Sequence, residues 1–272
     1  MKYASRKSKS QVLKILLLGG TLLLSTSFDA VSAAQRDDAR EAPPPHDPTV
    51  SDIIETEEGD LTITPISHAS LMMEFQGRTV YVDPVGDFSE MSDRKADIVL
   101  ITDIHGDHMN AEAARSVTKT GAVVIAPREV WNTITTAVVY LNGESSRVTL
   151  PNTVVGIEAV PAYNLTRGPE EGQFYHPMGR GQGYVVTIAG KRVFVSGDTE
   201  CVPEIQALEN IDVAFLPMNL PFTMTPEEAA ECAKAFRPSI VYPYHYRGQD
   251  PADFANALSG EDDIEVRIRE WY

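Results

Sequence analysis

Four potential metal ligands stand within six residues in the segment Thr102-Asp103-Ile104-His105-Gly106-Asp107-His108. Imidazole and carboxylate are the usual ligands of zinc and its neighbours, so Asp103, His105, Asp107 and His108 suit a divalent cation. Alternation along an extended turn puts Asp103, His105 and Asp107 on one side, and Gly106 lets the backbone bend so that His108 converges with them. A polar turn capping the next helix is the plainer alternative, but so dense a cluster favours metal. Leaving aside His46, the histidines His68, His105, His108, His176 and His245 each fall at a strand end or in the turn after it, where sites are usually built. Asp198 follows Ser196-Gly197 at another strand end, placed to project a carboxylate; capping the following helix is its alternative role. With only two cysteines, Cys201 and Cys232, the chain is neither a disulfide scaffold nor a cysteine-rich zinc module. Histidine and aspartate must therefore hold any metal.

The elements that position these residues come in two similar series. Strand patterns at 61–66, 71–75 and 79–83 form an antiparallel meander. A buried strand at 97–102, a helix at 111–118, a strand at 122–126 and a helix at 129–136 follow. Strands at 154–161, 184–188 and 192–195 form a second meander. Then come a helix at 203–208, a strand at 211–216, a helix at 226–236, a strand at 240–242, a helix at 251–258 and a strand at 264–268. Thr225, Pro226 and Glu228 give the helix at 226 an N-cap, a proline in its first turn and a capping box. Meander followed by alternating strand and helix, twice, implies an α+β fold, a four-layer αββα sandwich of two mixed sheets with external helices.

The chain has 272 residues, 43% of them hydrophobic, and a formal net charge of −16. Such acidity argues against nucleic acid and anionic membrane surfaces, which call for basic patches. Residues 1–34 carry five basic residues before an apolar run and a small-residue cleavage region, the three parts of a secretory signal peptide. The run is short for a membrane span, and no lasting membrane insertion is expected after cleavage. Removal of this segment leaves 18 basic against 38 acidic residues, a net charge of −20. Residues 35–60, charged and proline-rich, read as a flexible leader, and 61–272 as one domain. The expected location is periplasmic or secreted, and the expected partner a small molecule. The glycines at 179, 181 and 183 resemble a dinucleotide loop, but they lead into a strand where phosphate binding needs a helix N-terminus.

The pattern Asp103-x-His105-x-Asp107-His108 resembles the His-x-His-x-Asp-His signature of the metallo-β-lactamase fold superfamily. Ser196-Gly197-Asp198-Thr199 is similar to its bridging-aspartate segment, and Pro243-Tyr244-His245-Tyr246 to the strand end bearing its last histidine. The stretches Ala162-Tyr163-Asn164, Tyr175-His176-Pro177 and Gly181-Gln182-Gly183-Tyr184 resemble the branch related to ascorbate-6-phosphate lactonase and N-acyl phosphatidylethanolamine phospholipase D. The resemblance implies one ion on Asp103, His105 and His176, a second on Asp107, His108 and His245, and Asp198 between them. Asn164 competes with His176 for the third ligand position. Asp103 stands where most relatives have histidine, which allows zinc, a harder ion such as Mn2+ or Fe2+, or a single ion in place of two.

Hydrolysis follows as the implied activity: the metal lowers the pKa of a water toward neutrality for attack on an ester, lactone, amide or phosphodiester bond. Asp107 and His108 are the implied catalytic residues. A non-catalytic or mononuclear metal-binding protein with a degenerate first site is the alternative. His68 and Asp83 are expected near the metal without ligating it. The hydroxyl of Tyr244 or Tyr246 is a candidate donor to a substrate oxyanion, and Cys201 a candidate lining residue.

Overall fold

The computed structural model describes residues 50–272. The expected signal peptide and the leader as far as residue 49 lie outside the described residues. The expected leader boundary at residue 60 is too late. Strand β1 (Asp52–Thr56) pairs antiparallel with β2 (Gly59–Ser67), Ile54 enters the core, and Asp52 pairs with Arg269. A charged edge strand with one inward residue gives little apolar alternation to read.

The first sheet runs in sequence order from β1 and β2 through β3 (Ser70–Phe75), β4 (Arg78–Val82), β5 (Ala96–Leu100), β6 (Thr118–Ala126) and β7 (Val138–Val139). Its strands are antiparallel as far as β4 and parallel beyond it. The second sheet repeats the plan with β8 (Ser145–Leu150), β9 (Thr153–Ala162), β10 (Gly181–Ile188), β11 (Lys191–Val195), β12 (Val213–Pro217), β13 (Ile240–Tyr244) and β14 (Glu265–Val266). There the change from antiparallel to parallel falls at β11. The helices are α1 (Ala111–Val117), α2 (Arg128–Trp131), α3 (Pro203–Gln206), α4 (Pro226–Phe236) and α5 (Pro251–Ala257).

Alternation within the parallel strands builds three apolar layers. Ile98 and Leu100 face the second sheet and meet Ile157, Tyr184, Val195 and Phe215. Val99 and Ile101, one residue out of phase, pack under Ala113, Val117 and Val130 of α1 and α2. Phe194 and Leu216 pack outward against α3, α4 and α5 through Ile205, Ala229, Phe236 and Phe254. Strands buried on both faces need helices on the outside, and the result is the expected αββα sandwich.

The parallel strands deliver the chemistry-bearing residues to one edge. Asp83 follows β4, Thr102 to His108 follow β5, Asp198 follows β11 and His245 follows β13. His68, Asp83 and His245 are left-handed, with φ of 57°, 45° and 47°. Such non-glycine conformations cost on the order of 1–3 kcal/mol each and persist only where the surroundings enforce them. Here backbone bonds do so: His68 N donates to Trp271 O, Asp83 N to Leu100 O, and His245 N to His68 O.

The helix at 226–236 has the expected termini. The Thr225 hydroxyl accepts from Glu228 N while the Glu228 carboxylate accepts from Thr225 N. Cys201 and Cys232 form a disulfide across 31 positions of sequence, tying the segment after Asp198 to α4, so the Cys201 sulfur is committed to structure. Urea unfolding should show Thr225→Ala losing about 1 kcal/mol, and Cys232→Ser losing about 3–4 kcal/mol through the freed loop of the unfolded chain.

Candidate metal centre

The cluster is built on a buried knot. Asp83 accepts from Thr102 N at 2.7 Å, from the Thr102 hydroxyl at 2.5 Å and from His108 Nδ1 at 2.7 Å. Burial pushes the Asp83 carboxyl up, and these donors oppose the shift. Because Nδ1 carries the proton that Asp83 accepts, His108 presents the lone pair of Nε2 inward. It meets His245 Nε2 at 3.1 Å and Asp198 Oδ2 at 3.3 Å.

His176 is fixed in the same way from the opposite side. Asn164 Oδ1 accepts from His176 N at 2.7 Å and lies 3.0 Å from Nδ1. The Asn164 amide nitrogen donates to Glu200 and to Phe222 O, which sets the orientation of the side chain. The Nδ1 proton therefore points at Asn164, and the Nε2 lone pair faces Asp198 Oδ2 at 3.1 Å. Of the two candidates for the third ligand position, His176 faces the cluster, and Asn164 stands behind it.

Asp198 is 5% exposed. Its Oδ1 has no hydrogen-bond partner and lies 3.4 Å from His245 Nε2. The backbone reaches this position through Gly197, at φ 64°, where a Cβ would sit 2.9 Å from the Thr102 side chain. Burial alone would push the Asp198 carboxyl up, yet His245, His108 and His176 hold it well below the usual range. Burial likewise pulls His108 down, but the carboxylates of Asp198 and Asp83 outweigh it and hold His108 well above the ordinary histidine value. Both shifts express a demand for positive charge. A proton on His108 would satisfy one facing pair of acceptors, whereas a divalent cation would satisfy them together. His108, Asp198 and His245 form a group of potential ligand atoms within 4.8 Å of one another, and the donor set fits a metal ion.

Asp107 is placed somewhat differently from the expected second ligand set. Its Oδ2 lies 3.0 Å from His68 Nε2 and 3.5 Å from His245 Nε2, and it groups with these two. Despite burial, the hydrogen bonds to His245 and His68 hold its carboxyl well below the usual range. His68, lowered by burial, acts toward Asp107 as a neutral donor. Asp103, His105 and His176 form a third group, but Asp103 is heavily engaged. Its Oδ1 accepts from Ile104 N and His105 N, and its Oδ2 from Arg180.

Two other expectations fail. The Tyr244 hydroxyl is fully buried and accepts from Gly197 N at 2.9 Å; burial raises its pKa. Tyr246 donates to Arg269 O. Both phenols serve the scaffold, so neither is poised for an oxyanion. Arg180 was missed as a site residue; a lone cation among glycines, in a strongly acidic chain, is the signal that could have found it.

Two mixed sheets sandwiched between helices, with histidines and aspartates meeting at the ends of the parallel strands, define the class of metallo-β-lactamase folds. Residues 62–245 match the family described as the beta-lactamase superfamily domain, and the chain belongs to that superfamily. Within it, the chain falls among the metal-dependent hydrolases. It is 31% identical over 220 residues to the UPF0173 metal-dependent hydrolase of a Geobacillus species, covering 73% of this chain and 93% of that protein. A counterpart from Methanosarcina mazei is 28% identical over 222 residues, 77% of this chain and 95% of that protein. Among solved structures, one from Parabacteroides distasonis assigned to the metal-dependent hydrolases shares 41% identity at a TM-score of 0.74, covering 82% and 99% of the two chains.

The knot at Asp83 yields a direct test. Asp83→Asn should weaken metal binding about 10- to 100-fold by loosening the His108 tautomer, measured by competition with a chromophoric chelator. An unchanged affinity would show that His108 does not depend on Asp83.

Proposed function

We propose that this protein is an exported hydrolase of a small substrate, cleaving an ester, lactone, amide or phosphodiester bond. Its metal, one or two ions of zinc or of a harder metal such as Mn2+ or Fe2+, is held at a centre that includes His108, His245 and Asp198, with Asp107 at the open side. One observation carries the reading: acceptor atoms of His108, His176, His245 and Asp198 face one another in a buried space, the outer protons of His108 and His176 being fixed by Asp83 and Asn164. When bound, a divalent ion supplies the acidity that makes water a nucleophile near neutral pH and the charge that polarises the scissile group.

The chain's own contribution is orientation. Asp107 is 42% exposed, so of the carboxylates in the cluster it is the one that substrate and water can reach. Held ionised by His68 and His245, it accepts a hydrogen bond and aligns the attacking water; its low basicity suits this role better than proton removal. His108 and Asp198 are both buried, and Asp83 holds the outer nitrogen of His108. Export is supported by the N-terminal signal pattern and by the Cys201–Cys232 disulfide, a bond that persists in oxidising compartments. Among the described residues no helix is long and apolar enough to cross a membrane.

The test is hydrolysis of a panel of esters, lactones, amides and phosphodiesters by the mature protein, before and after chelation and after return of Zn2+, Mn2+ or Fe2+. Activity should vanish with the metal and return with it, and Asp107→Asn should lower kcat about 100-fold while metal content holds. Undiminished hydrolysis by the chelated protein would refute the proposal.

A further inference from the structure

The resemblance of the motifs implies two ions, and the first of them requires Asp103, His105 and His176 to turn free lone pairs toward a common point. Asp103 has little left to offer such a point. Asp103 is 1% exposed, and its carboxylate already receives three donors: Ile104 N at 2.5 Å, His105 N at 3.2 Å and Arg180 Nη2 at 3.0 Å. A carboxylate has about four lone-pair positions, so one is left. His176 keeps its inward Nε2 lone pair, 3.1 Å from Asp198 Oδ2, so the obstacle to a first ion lies at Asp103 and its arginine. His105 holds its Nδ1 4.0 Å from Asp103 Oδ1, with 44% of its side chain exposed.

Arg180 is held there by the backbone that carries it. At Gly181 a Cβ would lie 3.0 Å from Asp103 Oδ2 and 3.2 Å from Thr102 O, so the main chain itself runs against the carboxylate. The next residue fixes the approach, Gln182 N donating to Thr102 O at 2.9 Å. A guanidinium cannot give up its charge and has no acceptor atom. A divalent ion on the same carboxylate would therefore face a permanent like charge at close range, in surroundings where Arg180 is only 21% exposed and screening by water is weak. Asp103 and Arg180 also neutralise each other, which a neutral histidine at position 103 would not do.

We propose that the Arg180 guanidinium takes the place of the first metal ion, so that each chain binds a single ion, at His108, His245 and Asp198. The proposal rests on the metal-hydrolase reading above and specifies its stoichiometry. It makes Asp103 a partner for Arg180 and not a ligand, and it leaves His105 at the mouth of the site free of metal.

The experiment is a count of metal per chain by atomic emission, after saturation of the mature protein with Zn2+ and gel filtration. One equivalent is expected. Two equivalents would overturn the inference and leave the metal-hydrolase reading standing, whereas none would overturn that reading itself. The double variant Asp103→His, Arg180→Gln restores a free imidazole and removes the cation, and should take up a second equivalent. If it folds with native circular dichroism and still binds one, Arg180 is not what excludes the ion. The unmodified protein supplies an independent measurement when loaded with Co2+. All of the cobalt should give an uncoupled high-spin resonance, and an exchange-coupled pair would overturn the proposal.

Discussion

The buried carboxylate of Asp198 sets the terms for the whole strand-end cluster. It faces the Nε2 atoms of His108, His176 and His245 at 3.1–3.4 Å, with one oxygen lacking any hydrogen bond. Acceptors do not gather in a desolvated space without a cation to separate them. The surrounding structure enforces the gathering: Asp83 and Asn164 take the outer protons of two imidazoles, and those imidazoles are left with lone pairs inward. The knot at Asp83 and the pair at Asn164 are thus the same device built twice, once from each sheet.

That device explains why the fold suits the site. The switch from antiparallel to parallel pairing occurs at β4 in one sheet and at β11 in the other. From those points onward successive strands end at the same edge. If β5 ran antiparallel to β4, the 102–108 segment would leave from the edge opposite Asp83. Left-handed turns at His68, Asp83 and His245 then bend the chain inward at the strand ends. The strain of these turns is opposed by rigid layers on either side, the intersheet core and the two outer layers under the helices.

Much of this was legible in the sequence because apolar periodicity and ligand clustering are local signals. The strands from β2 to β6 and from β9 to β13, the capped α4, and the placement of Asp103, His105, Asp107, His108, Asp198 and His245 just past strand ends could all be read from the residues, whereas His176 lies within the loop between β9 and β10. The strand β8 could not, since Ser145–Leu150 is an exposed edge whose polar residues carry no alternation. β1 escaped for the same reason. At the site, the contacts that decide each residue's role are nonlocal. Asn164 reads as a possible ligand until its amide is seen behind His176, and Tyr244 reads as a possible donor until its hydroxyl is found against Gly197 N. Arg180 is 77 positions from Asp103, and no spacing rule links them.

The charge of the chain acquires a different meaning from this geometry. A net charge of −16 opposes polyanions at a distance, but a distant field is screened within about 10 Å at ordinary ionic strength. Close to the site, the field is set by the groups that line it. Asp198 and Asp83 share the positive charge that His108 and a metal ion provide, Asp103 is neutralised by Arg180, and Asp107 is left as the reachable carboxylate. A large polyanion must cross the acidic surface with much of its length, whereas a small anionic or neutral substrate meets mainly the local charges. The same acidity that argues against nucleic acid is therefore compatible with a phosphate or carboxylate ester drawn in by the metal alone.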